Sequence, residues 1–139
     1  AGQTRDYVFG YTILNDVSAR DVQTAHKQWY FGKSLDGFTP IGPCIVTADA
    51  FADYPPRLGI RSFVNGEKRQ DSNTALQIFD IDHVIAELSQ GMTLKAGTII
   101  ATGTPAGVGM GMDPPQFLKP GDTVRCEIDG IGSLTNPVR

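Results

Sequence analysis

Between Gly10 and Gln23 the chain reads GYTILNDVSARDVQ. Asp16, Arg20 and Gln23 stand at i, i+4 and i+7, which puts all three on one face if a helix runs through them. If the helix starts only at Ser18, Asp16 instead ends the preceding strand, beside the helix N-terminus. In both geometries a carboxylate, a guanidinium and an amide converge. A carboxylate is a hard oxygen ligand suited to Mg²⁺, Ca²⁺ or Mn²⁺. A guanidinium fork suits the carboxylate of a substrate. The same residues also make a plain helix cap with an Asp–Arg surface pair, and one carboxylate is not a metal site.

Two further stretches carry candidate chemistry. Lys33 sits in FGKSLDGFTPIGP, flanked by Gly, Pro and aromatics. A rigid, partly apolar loop can hold an ammonium where it stabilises an enolate or polarises a carbonyl; the alternative is an ordinary solvated lysine. ATGTPAGVGMG, from Ala101 to Gly111, follows an apolar run and suggests a phosphate loop. It fails that test, because no Lys-Ser or Lys-Thr follows the glycines and Asp-Pro-Pro comes next in place of a helix. What remains is a loop around Gly103 that exposes backbone N–H groups, with the hydroxyls of Thr102 and Thr104. These can donate to a carboxylate or oxyanion, or the loop simply connects strands. The two histidines, His26 and His83, have no partnering cluster and read as exposed or satisfied side chains.

The elements that would position these groups are short, because 16 Gly and 9 Pro punctuate the chain. Val8 to Leu14 reads as a strand. Ser18 with Asp21 resembles a capping box for a short helix from Ala19 to about Lys27. Gly32 to Pro43 reads as an ordered loop and Cys44 to Thr47 as a strand. Arg57 to Val64 alternates, with Leu58, Ile60 and Ser62 on one face. Asn65-Gly66 then signals a type I′ hairpin, with Glu67 to Asp71 returning. Thr74 to Phe79 reads as a strand. Ile81, Val84, Ile85 and Leu88 give one amphipathic helix, capped by Asp80 or Asp82 and ended at Gly91. Thr98 to Thr102 reads as a buried strand and Val124 to Ile128 as a half-exposed one. The sum is a β-rich α+β domain with one or two short helices.

The 139 residues are 40% hydrophobic with a formal charge of -3. That suits one domain. No basic patch points to nucleic acid and no polybasic run to a membrane surface. The apolar runs fall far short of the ~20 residues that span a bilayer. Cys44 and Cys126 each lie in a strand-like run, so two buried free thiols in a reducing cytoplasm are expected in preference to a disulfide. The opening AGQTRDY reads as the tail of an earlier element, so residues 1–139 are expected to be one incomplete domain.

Four motifs occur together in order: NDVSARDVQ, GKSLDGFTPIGP, IIATGTPAGVG and FLKPGDTVRCEIDGIGSLTNPV. In that combination the chain resembles the fumarylacetoacetate hydrolase family, above all its bacterial and mitochondrial domain-containing members. The resemblance implies a mixed β-sandwich roll, usually dimeric, with a divalent cation (Mg, Mn or Ca) that binds a dicarbonyl or 2-oxo acid. It implies that Asp16 ligates the metal and that Arg20 and Gln23 contact substrate. Lys33 would balance the developing enolate, and Thr104, with Gly103 in its loop, would bind the substrate acid. A Glu-x-Glu pair and an acid–base His and Glu complete the family's site. No Glu-x-Glu exists in these residues, where Glu67, Glu87 and Glu127 stand alone. The leading expectation is a metal-dependent C–C bond hydrolase acting through an enolate. The same-fold alternative is a 2-oxo acid tautomerase, isomerase, hydratase or decarboxylase. A non-catalytic dimerisation scaffold is the alternative of another class. The expected location is cytoplasmic, or the mitochondrial matrix if the source is eukaryotic.

Overall fold

A computed structural model describes residues 4–25 and 27–139. Six strands and three short helices follow in the order β1 (Gly10–Leu14), α1 (Arg20–Ala25), α2 (Trp29–Lys33), β2 (Ile41–Thr47), β3 (Gly59–Val64), β4 (Glu67–Asn73), α3 (Ile81–Gly91), β5 (Thr123–Ile128) and β6 (Gly132–Pro137). The β-rich α+β class is as expected. β1 and β2 form one antiparallel pair, and the second sheet has the order β4-β3-β5-β6, antiparallel throughout. β2 lies against β6 and β1 against β5, so the two sheets face each other. The buried apolar residues are Ile13 on β1, Val124 on β5 and Ile131 in the turn between β5 and β6.

The β3–β4 turn forms as the Asn65-Gly66 pair dictates. Both residues have positive φ, 52° and 84°, which a type I′ turn requires and which Asn and Gly tolerate best. β5 forms where the alternation of its sequence predicts it, and β6, not expected, pairs along its whole length. α3 starts at Asp80, whose side chain accepts from the His83 N–H at 2.7 Å. His83 is exposed and stacks on Phe79, with ring centroids 4.7 Å apart. His26 lies outside the described residues.

Five expectations are corrected. Thr74 to Phe79 is not a strand: a 3₁₀ turn spans Thr74–Leu76 because the Asn73 side chain accepts from Ala75 N–H and closes the chain on itself. Thr98 to Thr102 is not a strand either, and Ile99 is 57% exposed. Gly32 and Lys33 belong to α2, and β2 begins at Ile41, so the expected loop shrinks to about half. Ser18 makes no capping box, since its hydroxyl donates to the Asp16 carbonyl at 3.2 Å. Cys44 is exposed and Cys126 half-buried, both free; burial pushes the Cys126 thiol pKa up.

Candidate active site

The site begins where β1 ends. The Asn15 N–H donates to the Pro40 carbonyl at 3.0 Å, which ties the strand end to the segment before β2. Asp16 comes next, on the surface. The Ala19 N–H then donates to the Gly32 carbonyl at 2.8 Å, so α2 is joined to the start of α1. Gly32 is buried, and a Cβ there would lie 2.8 Å from the backbone N of Gln23 and 2.9 Å from the Ala19 carbonyl. Only glycine allows the two helices this approach. The approach carries the next residue, Lys33, onto Asp16, and their ammonium and carboxylate form a direct ion pair. Both side chains are partly exposed, 26% and 39%, so the pair adds little stability by itself. Its consequence is placement: a cation and an anion held together at the mouth of a strand. Trp29 flanks the ammonium, with the ring centroid 6.0 Å from Nζ. Thr39 Oγ1 donates to the Lys33 carbonyl at 3.1 Å and fixes the backbone on the far side.

Arg20 and Gln23 are one turn apart on α1. Arg20 Nη1 donates to Gln23 Oε1 at 3.0 Å. Gln23 is only 3% exposed, so its amide orients the guanidinium from below, and the rest of the fork is left to bind outward. Asp16, Arg20, Gln23 and Lys33 therefore gather around the α1–α2 junction, from two motifs that the sequence separates.

Gly103 and Thr104 lie elsewhere, on the wall of an open cleft of about 2030 Å³. Leu14 and Ile41 line the same cleft, so it reaches the strand ends that carry Asp16, while the four residues of the α1–α2 group do not line it. Gly103 has φ of 105° and is exposed. Thr104 Oγ1 accepts from Gln70 Nε2 at 2.9 Å, and the Pro105 carbonyl accepts from the same nitrogen at 2.8 Å. Ser62 Oγ donates to Gln70 Oε1 at 2.8 Å. Sequence reasoning missed Gln70. The available signal was Ser62, a hydroxyl on the otherwise apolar face of β3, which needs a cross-strand partner when buried.

Among the described residues no group of three His, Cys, Asp or Glu side chains could hold a metal ion. Ca²⁺ takes about six to eight oxygen ligands, and Mg²⁺ takes about six, of which one or two are carboxylates and several are waters or substrate oxygens. Asp16 supplies one, already paired with Lys33. These residues do not fit a cation site alone. Near the start of β1, the Tyr11 hydroxyl is buried and has no hydrogen-bond partner among the described residues, and burial pushes its pKa up to about 12.

Residues 1–139 match the family model described as fumarylacetoacetate (FAA) hydrolase C-terminal. The chain is 52% identical over 133 residues to oxaloacetate tautomerase YisK of Bacillus subtilis (strain 168), covering 96% of this chain and 44% of that protein. It matches the structure of a fumarylacetoacetate hydrolase from psychrophilic Exiguobacterium antarcticum with TM-score 0.93 and 53% identity, over 97% of this chain and 48% of that one. It matches the structure of 2-hydroxyhepta-2,4-diene-1,7-dioate isomerase from Mycobacterium marinum with TM-score 0.85 and 47% identity, over 97% and 49% of the two chains. The chain thus spans less than half the length of these relatives.

Proposed function

The chain belongs to the fumarylacetoacetate hydrolase family, and on that premise we propose that the whole protein is a keto–enol tautomerase of a 2-oxo dicarboxylic acid of the oxaloacetate kind. The observation that carries this reading is the 52% identity to an oxaloacetate tautomerase across nearly the whole chain. C–C bond hydrolysis, the sequence's leading expectation, becomes the second reading, supported by the 53% identity to a fumarylacetoacetate hydrolase. Both reactions pass through an enolate.

In a 2-oxo acid the hydrogens next to the carbonyl are acidified by it, and transfer of one to a base outside the described residues, or to water, moves negative charge onto the oxo oxygen. The Lys33 ammonium faces that charge and stabilises it more in the transition state than in the ground state. Arg20, oriented by Gln23, takes one substrate carboxylate through its free N–H groups. The Thr104 hydroxyl and the Gly103 N–H take the other, on the cleft wall. In the full-length protein Asp16 contributes one oxygen ligand to a divalent cation, completed by ligands outside the described residues. The experiment presents the full-length protein with the enol of oxaloacetate and, separately, with an acylpyruvate. The reading predicts loss of enol absorbance well above the buffer rate and slow acylpyruvate cleavage. Efficient cleavage with no effect on the enol would replace it with the hydrolase.

A further inference from the structure

Thr104 is one of the groups proposed above to hold a substrate carboxylate, and its hydroxyl can in principle donate or accept. The residues behind it hold it in place. β3 and β4 pair in register from Gly59 to Ser62, with Ser62 opposite Gln70, but Phe63 pairs with Lys68. Arg69 is therefore the extra residue of a β-bulge, which bends the strand and re-aims its neighbours. Its carbonyl is thrust toward the glycine loop, where a Cβ on Gly107 would meet it at 2.2 Å. The bulge and Gly107 thus dock the loop on β4, and they set Gln70 against Thr104 and Pro105.

The direction of each hydrogen bond there is forced. A proline carbonyl can only accept, so the Gln70 atom 2.8 Å from Pro105 O is the amide nitrogen. That nitrogen has two hydrogens. One goes to Pro105 O and the other to Thr104 Oγ1. The amide oxygen then faces Ser62, whose hydroxyl donates to it; Ser62 is buried, so nothing competes for it. With one lone pair taken by Gln70, the Thr104 hydroxyl keeps its hydrogen free to donate, on the exposed side of the loop.

We propose that Gln70, locked by Ser62, is a positioning residue that holds the Thr104 oxygen in place and leaves its hydrogen aimed outward to donate to a substrate carboxylate. The inference rests on the Thr104 assignment above and not on which reaction the enolate enters. Gln70 touches no substrate. It acts by fixing the place of the group that does, so its loss weakens carboxylate binding more than it slows chemistry.

The test uses the full-length protein and two readouts: calorimetric titration with oxalate, an unreactive dicarboxylate, and kcat and KM for enol-oxaloacetate ketonisation. Thr104→Val weakens oxalate about tenfold, the usual size of one lost hydrogen bond to a charged group. Gln70→Leu weakens it to a similar degree and raises KM with little change in kcat. The double variant binds no worse than Thr104→Val alone, since the two residues act through one hydroxyl. Ser62→Ala, a milder change that keeps the fold, gives a smaller loss in the same direction. Unchanged oxalate affinity in Gln70→Leu and Ser62→Ala, or additive losses in the double variant, overturns the inference. A wild-type protein that shows this binding pattern but does not ketonise oxaloacetate supports the inference and removes the proposed reaction. Ketonisation without the pattern does the opposite.

Discussion

Lys33 and Asp16 are 17 positions apart, and each is legible as a candidate from its own motif. Their contact is not. Gly32 reads as a helix breaker, so the sequence suggests a loop; in the fold Gly32 is the residue whose missing side chain lets α2 sit on α1. A local rule gives way there to a packing requirement. If the ammonium stabilises enolate charge, Lys33→Met in the full-length enzyme lowers kcat on the order of a hundredfold with a smaller change in KM. Lys33→Arg does not restore it, because a planar fork cannot replace a compact charge against Asp16 and Trp29. Lys68→Met, which breaks only an exposed pair with Asp71, is the control and leaves kcat unchanged. A Lys33→Met enzyme no slower than that control returns Lys33 to the solvated surface. For Asp16, the expected outcome is that Asp16→Asn lowers divalent-cation affinity without unfolding the protein; unchanged affinity removes it from the ligand set.

Among the elements, the β3–β4 hairpin is the most legible because its turn chemistry is local. Asn65 also does something that no local rule reveals. Its Oδ1 accepts from Thr123 N–H at 2.9 Å, and its Nδ2 donates to Asp122 Oδ1 at 2.8 Å, so the turn is stitched to the start of β5. The Asn65 amide and the Lys119 N–H hold the Asp122 carboxyl pKa below the usual aspartate range. A lowered folded-state pKa means that this contribution is present above the unfolded value and is lost as pH falls through the folded one. Asn65→Ala loses both hydrogen bonds and the tolerance for positive φ, at about 1–2 kcal/mol in chemical denaturation. Asn65→Gly keeps the turn and loses only the bonds, so it falls between. Equal stability of all three would mean that the stitch contributes nothing. The two segments misread as strands share one feature. Leu76, Ile78 and Phe79 lie in a segment that reads from the sequence as a strand, and Ile99 in one that reads as a buried strand, yet all four line the open cleft, with Ile78 92% exposed. An apolar pattern says that a face prefers cover; it does not say that the same chain supplies the cover.

The whole molecule carries that point in its surface. The chain exposes 9581 Å², against about 7,000 Å² for a compact monomer of its mass. Among the described residues, only Ile13, Val124 and Ile131 form a buried apolar core. With this surface and a single candidate cation ligand, the isolated 139 residues are predicted to bind a hydrophobic dye and to turn over neither oxaloacetate nor an acylpyruvate. Appreciable turnover by the isolated chain would show that Asp16, Arg20, Lys33 and Thr104 suffice without further ligands. The proposed role of these residues is narrower than any one reaction: they would serve a site that forms an enolate. Its most direct measurement is exchange of the oxaloacetate methylene hydrogens into heavy water, followed by NMR with the full-length protein. The account predicts exchange well above the buffer rate for the wild type and a loss on the order of a hundredfold in Lys33→Met. Exchange at the buffer rate, or exchange untouched by that substitution, would contradict it.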